Sequence, residues 1–325
     1  MEMILDPTIM FFCLGVLAVW VRSNIEIPPQ TIKFLSYYLL MSIGFKGGIS
    51  LAKTTLNLEI IETLVAGVFF ASLIPFWIFF VLRLKISVEN AAAAAACYGS
   101  VSAVTFLTAN SWLENQGVRV GGHMVAMMAL VEAPAIMMGL ALPKIMNRKK
   151  LKVSESDQSL SQFNLKEILH DAFFNGSVFI LVGSMIIGYI MNPKLANDYQ
   201  VFVYDIFKGF LCFFLFDLGM VAARQVKELK NSALFLSAVA ILAPVVNASI
   251  ALLIAQLIGM SPTDGFMFMI ITASASYIAV PAALKTSLPE ASSSIYLTMS
   301  LGITFPFNIL VGMPIYWKMA QTYLS

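Results

Sequence analysis

Charge is scarce in this chain. Asp, Glu, Lys and Arg make up 12% of its 325 residues and hydrophobic residues 59%; mean hydropathy is +0.84. Soluble domains carry about 25% charged residues, so polar groups cannot cover a water-facing surface here and a membrane protein is implied. Cysteine and histidine are scarcer still. Cys13, Cys97 and Cys212 all lie in apolar stretches, which suits small buried hydrophobes rather than disulfide or redox use. His123 and His170 are far apart in sequence, and packing or interfacial roles suit them better than metal ligation. No H-E-x-x-H, P-loop, G-x-S-x-G or dinucleotide fingerprint occurs, so nothing points to an enzyme. No basic stripe with interleaved aromatics points to nucleic acid. The acidic start, Met1 to Pro7, lacks the positive n-region of a cleaved signal peptide.

Long apolar runs are plentiful instead. Hydropathy predicts an all-α polytopic membrane protein with ten spans. They are Asp6–Val21, Phe34–Ala52, Ile60–Leu82, Glu89–Asn110, Gly121–Pro143, Phe174–Met191, Val201–Ala223, Ala233–Ile258, Thr263–Leu284 and Ser294–Lys318. Helices are required because a backbone in lipid must satisfy its own hydrogen bonds, and the alternating pattern of a membrane barrel is missing. Fourteen of the twenty Lys and Arg fall in the loops after spans 1, 3, 5, 7 and 9. Four lie on the other side, and Lys46 and Lys208 lie within spans. The positive-inside rule therefore predicts both termini outside the plasma (inner) membrane.

A repeat is visible. Phe45–Lys53 aligns with Phe216–Arg224 at an offset of 171, Ser100-Val101-Ser102 with Ser274-Ala275-Ser276 at 174, and Pro134 with Pro306 at 172. Five spans per half is an odd number, so the second half would be inverted relative to the first, an arrangement that suits alternating access. The chain divides accordingly into a first repeat over 1–143, a cytoplasmic linker over 144–172 and a second repeat over 173–325. The linker reads as a solvated connection with a surface helix, Leu165–Phe174, opened by an Asn164 and Glu167 capping box. The other reading is a docking site for a cytoplasmic regulator.

The motifs that bear on chemistry are two small-Ser-small-Ser interruptions, one in span 4 and one in span 9. Such residues at bilayer depth are tolerated where the backbone lines a cavity or is buried in protein. A half-helix starting after each interruption has unpaired N–H groups and a partial positive charge. Two such tips together would make an anion site without a buried Arg or Lys. Backbone N–H groups near Ser102 and Ser276 are the expected donors. Ser100, Ser102, Ser274 and Ser276 can donate to an anion or coordinate a hard cation; close helix packing is the other use of small residues. The run Ala91–Ala96, just before the first interruption, reads as packing. Glu132, inside span 5 beside Pro134, is an intramembrane carboxylate and so a functional candidate. Its repeat mate Thr304 precedes Pro306 and Asn308; these groups would supply oxygens to Na⁺, or Glu132 would carry a proton. Lys46 and Asp217 read as snorkelling or ion-paired groups, and Asp264 as the cap of span 9.

At these residues the chain resembles the cyanobacterial SbtA-type sodium-dependent bicarbonate transporters over nearly its whole length. The resemblance rests on Gly99-Ser100-Val101-Ser102-Ala103-Val104-Thr105, Glu132-Ala133-Pro134-Ala135, Phe216-Asp217-Leu218-Gly219-Met220 and Ser274-Ala275-Ser276-Tyr277-Ile278-Ala279-Val280-Pro281. It implies inverted five-helix repeats with a gate and a core domain, a homotrimer, Na⁺-coupled bicarbonate uptake and control by a small PII-like protein. Ser100, Val101, Ser102, Ser274, Ala275, Ser276 and Tyr277 are the implied anion contacts. Ser100, Thr105, Glu132, Ser276 and Thr304 are the implied Na⁺ contacts, with Na⁺ as coupling ion and no other cofactor. The chain departs from the family pattern at Tyr277, where an Asp is usual, at Ala279 and Val104, where Ser is usual, and at Glu132, which replaces Asp. Two rivals keep the architecture: a symporter for an organic carboxylate, and a carrier coupled to protons through Glu132.

Overall fold

With no water in hydrocarbon to bond a bare peptide group, this composition leaves the helix as the available element. The computed structural model describes residues 5–55, 57–148, 176–191, 195, 198–226, 233–281, 284 and 288–324. Among them there is no strand. The helices are α1 Pro7–Trp20, α2 Pro29–Ala52, α3 Leu58–Leu82, α4 Val88–Gly99, α5 Ala103–Asn115, α6 Gly122–Leu130 and α7 Glu132–Arg148. There follow α8 Gly176–Ile190, α9 Ile206–Val226 (entered through a π turn, Val201–Asp205), α10 Ala233–Ile258 and α11 Pro262–Ala273. The last, α12, covers Ser293–Tyr323 and widens to π geometry over Thr298–Thr304 and Asn308–Gly312. Among the described residues seven segments are long and apolar enough to cross a membrane, with Pro7–Trp20 and Gly176–Ile190 as shorter apolar helices.

Local chemistry starts and bends these helices. Asp6 caps α1 by accepting from the Thr8 N–H at 2.9 Å, Asn57 caps α3 and Ser87 caps α4. Ser261, not Asp264, is the cap of α11. Its Oγ accepts from the Asp264 N–H at 3.1 Å and donates to the Asp264 carboxylate at 3.0 Å, the reciprocal pattern of a capping box. The predicted fifth span is not one regular helix. It kinks at Val131 between α6 and α7, because Pro134 has no N–H to give to the Leu130 carbonyl one turn back. Pro306 accompanies the π segments of α12 for the same reason. Helix α7 also runs past the expected boundary at 143 to Arg148, with Pro143 inside it. The rest of the expected linker, including Leu165–Phe174 and its Asn164 and Glu167 cap, lies outside the described residues.

The interrupted pair α4–α5 is the centre of the bundle. In the span Val88–Asn115, 94% of the apolar window is buried, against 39% for Leu58–Leu82, and Ala91 to Ala96 are each fully buried. Helix α3 packs on α4 and α7, and α10 packs on α11. The outward faces are apolar, as at Trp20, Phe69, Leu253 and Leu257. Cys13 is on such a face, whereas Cys97 is buried. Ala rather than a larger residue at 91–96 lets α3 and α7 approach α4 closely; Gly139 of α7 faces Ala96.

Two other helix pairs, α1 with α9 and α2 with α8, are built on the same contact. A Cβ on Gly15 would strike the Phe216 carbonyl oxygen, and one on Gly219 the Phe12 carbonyl oxygen. In the second pair a Cβ on Gly188 would strike the Phe45 carbonyl oxygen, and one on Gly48 the Met185 carbonyl oxygen. Between apolar helices in lipid, van der Waals packing is the main attraction, and missing side chains let the backbones meet.

Gly219→Ala should therefore lower stability by about 1–3 kcal/mol, the cost of forcing an extra methyl into a packed contact. Gly183→Ala, where a Cβ meets nothing within 4 Å, should leave the thermal midpoint in detergent unchanged or slightly higher. Equal midpoints for the two variants would contradict the packing account.

Candidate substrate site

The two interruptions have nearly the same geometry. Ser100 ends α4 at φ −99°, ψ 172°, and Ser274 ends α11 at φ −85°, ψ 170°. Ser102 then caps α5, its Oγ accepting from the Thr105 N–H at 3.2 Å. Ser276 plays the matching part, its Oγ accepting from the Val280 N–H at 3.3 Å, and helical conformation resumes at 279. The interruptions also bond to each other. The Ser276 N–H donates to the Cys97 carbonyl at 2.7 Å. The Ser102 N–H donates to Ser274 Oγ at 3.0 Å, and that hydroxyl donates to the Ile271 carbonyl at 3.1 Å. Ile271 lies 174 residues after Cys97, the same spacing as between Ser100 and Ser274; one crossing is direct and the other passes through a hydroxyl.

The expected donors, N–H groups near Ser102 and Ser276, are thereby narrowed. The N–H groups of Ser102 and Ser276 themselves are committed to the crossing. The donors left over at the first tip are those of Ala103 and Val104, which begin α5 and have no acceptor within it. Both residues line a cavity with about 550 Å³ of empty space, open solvent included. The same cavity is lined by Val101, Ser102, Ser276, Tyr277 and Glu132. Its opposite wall is apolar, formed by Leu39 and Leu40 of α2, Leu181 of α8 and Phe214 of α9. Five expected site residues thus meet in one place, from three separate stretches of chain.

The others lie elsewhere. Ser100, Ser274, Ala275 and Thr105 are buried but do not line the cavity. Ser100 Oγ and Thr105 Oγ1 have no hydrogen-bond partner among the described residues. A buried unpartnered hydroxyl costs about 1–3 kcal/mol, so two of them flanking Ser102 suit oxygen ligands for a hard cation. Among the described residues no three His, Cys, Asp or Glu side chains cluster as a site for another metal would require. Thr304 is otherwise engaged. Pro244 deprives the Ala240 carbonyl of its helical N–H, and Thr304 Oγ1 replaces it at 2.6 Å while sharing a 2.6 Å hydrogen bond with Tyr98. Asn308, expected to offer an oxygen, instead donates its amide to the Ala273 carbonyl at 2.8 Å, capping the end of α11.

Tyr277 packs its ring edge-on against Phe305, with centroids 5.4 Å apart, and its buried hydroxyl has no hydrogen-bond partner among the described residues. An aromatic ring thus fills the position where the resemblance leads one to expect a carboxylate. Glu132 starts α7, where the positive end of the helix dipole favours an acid, and it is 7% exposed. The expected donors were backbone N–H groups near Ser102 and Ser276, and at the first tip the spacing from Ser102 to Thr105, which marks an N-cap, narrows these to Ala103 and Val104.

A family model described as the Na⁺-dependent bicarbonate transporter superfamily matches residues 7–321. The match spans nearly the whole chain, and the chain belongs to that superfamily. It is accordingly a transporter and not an enzyme. No curated protein matches the sequence.

Ser274→Ala should remove the relay between Ser102 and Ile271 and leave a buried N–H unpaired, costing about 1–3 kcal/mol. Ser100→Ala deletes a hydroxyl that bonds nothing and should cost far less. Thermal unfolding in Na⁺-free buffer checks the pair, and the opposite ranking would contradict the crossing described above.

Proposed function

We propose that this member of the Na⁺-dependent bicarbonate transporter superfamily couples bicarbonate uptake to Na⁺ by alternating access across the plasma membrane. The observation that bears most weight is the meeting of Glu132 with the tip of α5 in one cavity. The tip attracts an anion. The carboxylate offers oxygens to a hard cation. A cation and an anion bound side by side in one cavity attract each other, and this makes binding of each ion depend on the other. Ser100 and Thr105, with Glu132, are the proposed Na⁺ contacts. Ala103, Val104 and the hydroxyls of Ser102, Ser276 and Tyr277 are the proposed anion contacts.

The ten-span inverted repeat belongs to the same reading. It is supported by the offsets of 171 to 174 and by the paired glycine contacts, in which Gly15 and Gly219 on Phe216 and Phe12 are matched by Gly188 and Gly48 on Phe45 and Met185. A cytoplasmic position for the 144–172 linker, with both termini outside, is supported by the distribution of Lys and Arg. A homotrimer and a PII-like regulator are expectations from resemblance.

The competing reading couples transport to protons through Glu132, as its place in the cavity permits. Uptake of labelled bicarbonate into vesicles, with and without a Na⁺ gradient, separates the two. Uptake should need Na⁺, and Ser102→Val and Ser276→Val should each abolish it while the protein stays folded. Glu132→Gln should raise the Na⁺ requirement. If it removes a pH dependence and leaves the Na⁺ response intact, proton coupling is the better account; Na⁺-independent uptake by the unmodified protein excludes symport.

A further inference from the structure

A second, larger cleft lies over the central cavity. It has an empty volume of about 1670 Å³ and a mixed lining. Four basic side chains, Lys46, Lys53, Arg119 and Lys208, face two acidic ones, Glu114 and Asp205. The cleft and the central cavity follow the same helices. On α2 the cavity ends at Leu40 and the cleft begins at Ile43; on α5 the corresponding residues are Leu107 and Asn110; on α6 they are Met128 and Val125. Each step is three residues, about 4.5 Å along a helix. The two chambers are thus separated by just under one turn of each helix, through Met41 and Ser42, Thr108 and Ala109, and Ala126 and Met127.

Lys46 is the innermost cation of the cleft, one turn beyond Ile43 on α2. It is 8% exposed and sits 4.2 Å from the Tyr204 ring centroid and 4.4 Å from that of Phe207, held by cation–π attraction. Its Nζ donates to both carboxylate oxygens of Glu114 at 3.2 Å. Glu114 is steadied in turn by the Asn110 amide at 3.1 Å. The ammonium thus already receives a planar O–C–O group, the shape that a bicarbonate or a small carboxylate presents. An excess of positive charge inside low-dielectric walls concentrates anions.

We infer that this cleft is an anion-collecting vestibule for the central cavity, and that Lys46 is its inner contact, exchanging Glu114 for an incoming small oxyanion. The exchange keeps Lys46 paired throughout, and the displaced Glu114 carboxylate, 19% exposed, retains the Asn110 amide as a donor. The idea deepens the transport reading, since it names the route by which the anion reaches the tip of α5.

The test measures the potential in the cleft by thiol chemistry, independently of transport. Val118→Cys lines the cleft beside Arg119, and Cys13 and Cys212 are replaced by Ala to remove accessible thiols. Modification rates with an anionic and a cationic methanethiosulfonate are expressed as a ratio and divided by the same ratio for free cysteine. The normalised ratio should exceed unity by about fivefold, the scale of a unit charge acting across a poorly screened cleft. Lys46→Gln and the exposed Arg119→Gln should each lower it, and Glu114→Gln should raise it, an opposition of sign that mere structural disturbance would not produce. In vesicles, Lys46→Gln should also raise the bicarbonate concentration for half-maximal uptake. A normalised ratio at or below unity overturns the vestibule. A high ratio that ignores both Lys46→Gln and Glu114→Gln overturns the role of Lys46. If the unmodified protein carries no bicarbonate, the transport reading fails, while the thiol ratios still decide the vestibule.

Discussion

The structure depends on how two interrupted helices satisfy their backbones where no water can do so. An interruption at bilayer depth frees carbonyls on one side and N–H groups on the other, and each unpaired group costs more than most single contacts return. Here each interruption serves as the other's partner. Ser276 closes on the carbonyl of Cys97, and Ser102 closes on that of Ile271 through the Ser274 hydroxyl. Asn308 and Thr304 take up two further carbonyls, at Ala273 and Ala240. Among the buried side-chain groups without a partner are the hydroxyls of Ser100, Thr105 and Tyr277, beside the interruptions, where ions can complete the set.

The surrounding architecture follows from holding that crossing in place while one of its faces borders a cavity. Small residues on α4 and at Gly99 let α3 and α7 enclose the crossing tightly, with the Pro75 ring filling the space beside Gly99. The pairs α1–α9 and α2–α8 are joined by backbone contact at glycines, so each pair is a stiff unit. The central cavity runs between these pairs and the crossing. Leu39, Leu40 and Phe214 offer an anion nothing, so its polar contacts must come from the tip of α5, the lining serines and Glu132.

Much of this is legible in the chain read residue by residue. Small and hydroxyl residues in mid-span locate both interruptions, Pro134 locates an irregular helix, and the offsets near 172 anticipate the matched glycine contacts. Other assignments fail because their causes lie at long range. Thr304 looks like a cation ligand as the mate of Glu132, yet Pro244, sixty residues away, claims its hydroxyl for Ala240. Asp264 is a local exception: it looks like a cap, but Ser261, three residues earlier, takes that part. Lys46 reads as one half of an ion pair, but nothing near it in sequence names Glu114.

The sequence by itself determined that this is a helical membrane protein, where its helices break, and which residues at the breaks are polar. Those features arise from hydropathy and from backbone rules that act within about one helical turn. Only the tertiary structure decided which donors remain free. Ser102 and Ser276 lost their N–H groups to the crossing, whereas Ala103 and Val104 kept theirs, because hydrogen bonds between distant segments depend on how those segments pack.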